Sequence, residues 1–71
     1  MDMKEKLAVL KLAGYEVRQV TIMGNTKRWD WNLFVNGEHT DSSDTYHRTK
    51  SEAVNDAFEW MVLYTPKETI A

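Results

Sequence analysis

Apolar residues recur every three or four positions near the start of the chain, which predicts a first helix from about residue 3 to residue 13. Asp2 and Glu5, three residues apart, form a capping box at its start. Gly14 is expected to end it, because glycine adopts the left-handed conformation at little cost. The predicted buried stripe consists of Met3, Leu7 and Leu10, completed by Ala13 or Gly14.

The segment "YEVRQVTIMG" is rich in β-branched residues and predicts a first strand. Its apolar positions change parity between Val17 and Val20. We therefore expect either a bulge at residues 18–19 or a strand that is covered on both faces. The following "GNTK" predicts a turn, because Gly24 and Asn25 both tolerate positive φ.

The segment "RWDWNLFVNG" predicts a second strand with two unlike faces. Period-two alternation places Trp29, Trp31, Leu33 and Val35 on one face and Arg28, Asp30, Asn32 and Phe34 on the other. Burial of one large aromatic side chain stabilises a fold by roughly 2 to 3 kcal/mol. A small domain needs that contribution, so we expect the tryptophan face to meet the helices as core.

The remainder of the chain predicts a hairpin and a second helix. Asn36-Gly37 is a strong signal for a type I′ turn, so a short polar edge strand should begin at Glu38. Thr49 and Glu52 form a second capping box, which opens a helix to about Tyr64 before Pro66. Its predicted buried stripe contains Ala53, Ala57, Trp60, Met61 and Tyr64, widened by Val54 and Phe58.

The order of elements predicts an α+β fold of the αβββα type, with two helices packed on one face of a three-stranded antiparallel sheet. We expect a single domain over residues 1–71, with residues 1–2 and 66–71 frayed. The length of 71 residues leaves room for only one core.

Composition excludes several kinds of chemistry. The chain has no cysteine, so disulfides, thiolate metal sites and cysteine nucleophiles are excluded. No apolar run approaches the roughly 20 residues of a membrane span, and the N-terminus lacks the order of charges of a secretory signal. We expect a cytoplasmic protein that does not contact a membrane.

The net charge of −2 conceals an asymmetry along the chain. Residues 1–28 contain six basic and three acidic residues, whereas residues 38–59 contain two basic and six acidic residues. Non-specific binding to nucleic acid requires a dense basic face. A bipolar domain of this kind suits a protein partner better.

Four short segments match the pattern of a known family. "YEV" opens the first strand, "GNTKRW" provides a Gly-led loop with a basic pair and an aromatic residue, "VNG" closes the second strand, and "TKSEAVNDA" opens the last helix. In this order they resemble the double-stranded RNA-binding domain, over Tyr15 to about Leu63, with the predicted first helix in the corresponding place.

The resemblance implies binding to A-form RNA through the first helix, the loop between the first two strands and the start of the last helix. The residues that it implicates are Lys4, Glu5, Lys11, Lys27, Arg48 and Lys50. The chain departs from the family at Ser51 and Val54, which replace lysines, and in the loop, where only Gly24 remains. Fewer cations weaken the grip on phosphate, so RNA binding is the alternative hypothesis.

Other constellations are weaker. The segment from Asp41 to Glu52 has the ligand spacing of a calcium loop, but Tyr46 occupies the position that requires glycine. His39 and His47 lack the helical spacing of a zinc site. The serines lack the Gly-x-Ser-x-Gly turn of a hydrolase. We expect no enzyme activity, no catalytic residue, no metal and no cofactor.

We therefore expect a small module that works by contacting another protein, as a regulatory or inhibitory accessory protein of the kind found in phages and mobile elements. Phe34 lies opposite the tryptophan face, where it could also form a homodimer seam. The expected partner surface consists of Arg28, Asp30, Asn32 and Phe34.

Overall fold

The computed structural model of the protein describes residues 1–64 and has the predicted αβββα order. Its elements are α1 (Met3–Leu12), β1 (Tyr15–Ile22), β2 (Thr26–Val35), β3 (Glu38–Ser42) and α2 (Lys50–Tyr64). The fold class is α+β, with a three-stranded antiparallel sheet in the order β1-β2-β3. The predicted stop at Pro66 and the predicted frayed tail lie outside the described residues.

Both predicted capping boxes are confirmed. The backbone N–H of Glu5 donates to Asp2 Oδ1 at 2.9 Å, and the N–H of Asp2 donates back to Glu5 Oε1 at 3.3 Å. At α2 the N–H of Glu52 donates to Thr49 Oγ1, and the N–H of Thr49 donates to Glu52 Oε1, both at 3.1 Å. These bonds make Asp2 the N-cap of α1.

Strands β1 and β2 pair without interruption from Tyr15↔Leu33 to Ile22↔Thr26, so the bulge expected at residues 18–19 is absent from this pairing. The irregularity lies instead between β2 and β3, where the register shifts between Leu33 and Phe34. The turn between β1 and β2 also differs from the prediction in the residues that have positive φ. Met23 (φ 47°) and Gly24 (φ 90°) have positive φ, rather than Gly24 and Asn25.

Both helices pack on the face of the sheet that contains Trp31, whose exposed fraction is 1%. The buried apolar set is Leu10, Tyr15, Trp31, Ala53, Val54 and Ala57. The prediction that this face forms the core is confirmed at Trp31 and at Leu33, which packs against the buried cluster.

The ends of the predicted buried stripes are not buried. Trp29 is only half-buried, and Val35, the last residue of β2, is exposed. Met3 at the start of α1 and Tyr64 at the end of α2 are also exposed. The core is therefore concentrated around the middle of β2.

Gly14 joins α1 to β1 in a position that only glycine fits. Its φ is 99°, and a Cβ atom placed on it would overlap the carbonyl oxygen of Phe34. The Gly14 carbonyl also accepts a bond of 2.9 Å from the N–H of Phe34. This close approach fixes the start of the sheet beneath α1.

Neither helix in the described residues has the length and apolar character needed to cross a membrane.

Candidate functional site

The four residues of the predicted partner surface lie on the sheet face opposite the helices, which we call the open face. The register places residues 28, 30, 32 and 34 of β2 on this face, beside residues 16, 18, 20 and 22 of β1. Within residues 1–64 both helices pack on the other side of the sheet. The structure therefore brings the predicted surface residues together on one continuous strip.

A charged pair occupies the middle of the open face. Arg18 Nε lies 3.4 Å from Asp30 Oδ1, and Arg18 Nη1 lies 4.0 Å from Glu16 Oε1. The Asp30 side chain is only 14% exposed, whereas that of Arg18 is 55% exposed. One carboxylate is thus held within the sheet surface, while the guanidinium above it remains accessible.

A second group lies where β2 meets β3. His39 Nε2 lies 3.0 Å from Asn32 Oδ1, and because an amide oxygen only accepts, the imidazole donates this bond. The His39 ring also contacts the ring of Phe34, with the centroids 5.5 Å apart. Both contacts follow from the register shift, which sets Phe34 opposite His39.

Asn32 is the unexpected member of this face. Sequence alternation predicts an accessible amide, but its exposed fraction is 7%. Its Nδ2 is the one buried side-chain polar atom that lacks a hydrogen-bond partner in the described part of the chain. An unpaired buried donor typically destabilises a fold by about 1 to 3 kcal/mol. The open face therefore contains a buried donor whose hydrogen-bonding capacity the described residues leave unused.

The two ends of the strip contain both charged and apolar side chains. Phe34 and Arg28 are half-buried, and the Arg28 guanidinium donates to the Lys27 carbonyl at 2.8 Å. Val20 and Ile22 on β1 are half-buried as well. Apolar side chains that remain partly exposed to solvent thus lie on both sides of the charged pair.

The helix-facing side of β2 contains a polar connection that the sequence analysis missed. Asp56 Oδ2 accepts a bond of 2.8 Å from Trp31 Nε1 and one of 3.0 Å from His47 Nε2. The backbone of His47 exchanges two bonds of 2.7 Å with that of Trp29. These contacts attach the segment before α2 to the central strand.

A sequence signal for this connection exists. Asp56 immediately precedes the buried Ala57 and so borders the predicted apolar stripe of α2. A carboxylate in that position requires a donor, and a buried tryptophan requires an acceptor for its indole N–H. His47, considered above as a zinc ligand, instead donates to this carboxylate. Within residues 1–64, no three histidine or acidic side chains converge on a point that could hold a metal ion.

The predicted RNA contacts are distributed over three elements. Lys4, Lys11, Lys27 and Arg48 are exposed, and none of them forms an ion pair with another residue of the described chain. Lys50 is half-buried, with its Nζ 5.8 Å from the centroid of the Trp29 ring. Glu5 is engaged in the capping box of α1. The Lys50–Trp29 contact brings the start of α2 beside the start of β2.

Tyr15 has a raised pKa. Burial raises the pKa of its hydroxyl, and the nearby Asp41 carboxylate raises it further. The shift follows from its place in the core, where the Tyr15 ring lies 5.5 Å from that of Trp31.

Comparisons with protein-family models, with curated proteins and with solved structures gave no match for this chain.

Proposed function

We propose that the protein is a small non-enzymatic binding module that contacts another protein through its open face. The observation that carries this proposal is a sheet face that the described helices leave uncovered and whose side chains are already held in place. Binding orders side chains, and this loss of conformational entropy opposes binding by about 0.5 to 1.5 kcal/mol for each long side chain that becomes immobilised. A face with fixed side chains avoids part of that loss.

The composition of the open face supports a protein partner. Phe34 supplies an aromatic ring, and Arg18 supplies a guanidinium whose partner, Asp30, is largely covered. Aromatic and arginine side chains dominate the binding energy of protein interfaces, surrounded by weaker polar contacts. The face also contains both signs of charge, so it suits a partner of mixed charge better than a polyanion.

The unpaired Nδ2 of Asn32 is consistent with a surface that is not optimised for stability. Folded domains keep such groups rarely, because they are destabilising. A small domain that tolerates one on its open face favours recognition over stability at that point. We extend the proposal to a regulatory or inhibitory role, because a module of this size that lacks its own chemistry acts by occupying the surface of another protein.

Site-specific photo-cross-linking tests the proposal. A benzophenone side chain placed at Phe34 should capture one discrete protein in the host cell, in competition with unlabelled wild-type protein. The matched control is Leu12, an apolar residue of α1 that is 90% exposed and lies outside the open face. Equal capture of the same protein from position 12, or no discrete product from position 34, would contradict the proposal.

A second candidate function is binding of duplex RNA. The observation that favours it is the contact of Lys50, at the start of α2, with Trp29, which follows Lys27 by two residues in β2, in a fold of the αβββα type. Two of the three elements implied by the resemblance would then face the same duplex. Lys27 and Arg48, which have no ion-pair partner in the described chain, would supply the phosphate contacts.

Salt dependence separates the two candidates. If RNA binding is the function, affinity for duplex RNA should fall steeply with salt and should weaken in Lys27→Ala and Lys50→Ala. Arg18→Gln removes the same charge from the open face and should leave RNA affinity unchanged. Absence of a shift with duplex RNA at low salt would exclude this candidate.

A further inference from the structure

The outer edge of β1 offers unpaired backbone groups over the length of the strand. In the order β1-β2-β3, β1 is an edge strand, and no strand in residues 1–64 pairs with its outer side. Strand β1 is eight residues long and contains no proline and no bulge, which are common means of protecting an edge. Its charged residues are Glu16 and Arg18.

The hydrogen bonds of β2 determine which groups of β1 point outward. The N–H of Phe34 donates toward β1, to Gly14, whereas Trp29 exchanges its bonds with His47 on the opposite side. Hydrogen-bonded pairs alternate along an antiparallel ladder. Even-numbered residues of β1 therefore bond to β2, and the outward N–H and C=O groups belong to Tyr15, Val17, Gln19 and Thr21.

An apolar groove lies beside this edge. A cavity of about 320 Å³ between α1 and β1 is lined by Leu7, Leu10, Lys11, Tyr15, Glu16 and Val17. Val17 is half-buried and points to the helix side of the sheet. A strand added to β1 would direct alternate side chains into this groove.

We propose that the edge of β1 pairs with the same edge of a second copy of this chain, antiparallel, around a two-fold axis at Val17. In this register the outward groups of Val17 bond to the Val17 of the second copy, and those of Tyr15 bond to the second copy's Gln19. The parity derived above permits these hydrogen-bonded pairs.

Charge complementarity selects this register. With the axis at Val17, Glu16 lies directly opposite the second copy's Arg18, and the symmetry repeats the pair. An axis at residue 16 or residue 18 would place two like charges opposite each other. An axis at residue 19 would set Glu16 against Ile22. Opposite charges across a strand pair stabilise it, whereas like charges destabilise it.

The dimer would contain a continuous six-stranded sheet. Because the two-fold axis is perpendicular to the sheet, both pairs of helices lie on one side and both open faces on the other. The second copy's Val17 would fill the groove beside Val17. This inference goes beyond the proposed function, and a dimer built in this way would present two partner surfaces side by side.

Charge reversal tests the inference without disturbing the core. Glu16→Arg and Arg18→Glu each place like charges opposite each other twice in the dimer, so each should weaken self-association by about tenfold or more. An equimolar mixture of the two variants restores opposite charges at both positions. We expect sedimentation to show monomers for each variant alone and a heterodimer for the mixture.

Amide exchange locates the contact in the wild-type protein. The N–H groups of Tyr15, Val17 and Gln19 should become protected as concentration rises, whereas those of Glu16 and Arg18 should be protected at every concentration. A wild-type chain that stays monomeric at millimolar concentration, with these outward amides exchanging freely, would overturn the inference and leave the edge to a strand of another protein. A dimer that Phe34→Ser dissociates while Glu16→Arg does not would also overturn it.

Discussion

Alternate residues of the ten-residue strand β2 form its two faces, and the faces differ in how their polar groups are satisfied. On the helix-facing side, Trp31 is 1% exposed and its indole N–H bonds to Asp56 at 2.8 Å. On the open face, Asn32 is 7% exposed, yet its Nδ2 has no partner within residues 1–64. Within residues 1–64, the buried polar group on the first face has a partner and the one on the second face does not.

This difference suggests a division of roles. Burial of the tryptophan face supplies the stability that a chain of 71 residues needs. The open face holds Arg18, Asp30, Asn32, Phe34 and His39 in order through mutual contacts, at some loss of stability. Substitutions on the first face should therefore change folding, and substitutions on the second should change binding.

The largest effect is expected at Trp31. Replacement by alanine removes the largest fully buried side chain and should lower the free energy of unfolding by about 3 to 5 kcal/mol, enough to unfold a domain of this size. Trp29→Ala is the matched control, because Trp29 is half-buried, and it should reduce stability distinctly less. Urea unfolding followed by circular dichroism measures both, and equal losses would contradict the assignment of the core.

A smaller loss is expected at Asp56. Asp56→Ala leaves the buried indole N–H of Trp31 without an acceptor, which should lower the free energy of unfolding by about 1 to 3 kcal/mol. The control is Glu59→Ala on the exposed side of α2, which should change stability by no more than about 0.5 kcal/mol. If the two variants unfold at the same urea concentration, Asp56 does not have the role that the geometry gives it.

On the open face, Asn32→Leu separates a role in stability from a role in binding. It removes an unpaired donor together with the bond from His39, so stability should stay within about 1 kcal/mol of wild type or rise. Capture of the partner by a cross-linker at position 34 should fall in the same variant. A large loss of stability would show that the Asn32–His39 contact belongs to the core rather than to the binding surface.

The smallest effect is a dependence on alkaline pH that comes from Tyr15. Its raised pKa means that the folded state binds the hydroxyl proton more tightly than the unfolded state does. This contribution to stability is fully present below the unfolded pKa of about 10 and is lost as pH rises through the folded pKa. Tyr15→Phe should remove this part of the alkaline decline in the melting temperature, and an unchanged pH profile would contradict the assignment.

Much of the fold could be predicted from local signals. The two capping boxes, the Asn36-Gly37 hairpin and the burial of Trp31 depend on residues a few positions apart, and each is confirmed. Asn36 and Gly37 both have positive φ, as the type I′ turn requires.

The features that escaped prediction depend on distant parts of the chain. The register shift beside Phe34 arises from the way in which β3 pairs with β2, and it sets Phe34 opposite His39. The bond from Trp31 to Asp56 joins residues 25 positions apart. Alternation along one strand assigns faces, but it does not show which polar atoms find partners.

The division of roles between the two faces of β2 is tested most directly by measuring stability and binding together in Phe34→Ser and Trp31→Phe. We expect Phe34→Ser to keep a melting temperature close to that of wild type while its affinity for the partner captured at position 34 falls at least tenfold. Trp31→Phe should melt at a clearly lower temperature, yet its folded fraction should bind with unchanged affinity. If Phe34→Ser binds as tightly as wild type, or loses affinity only in proportion to lost folding, the open face is not the binding surface.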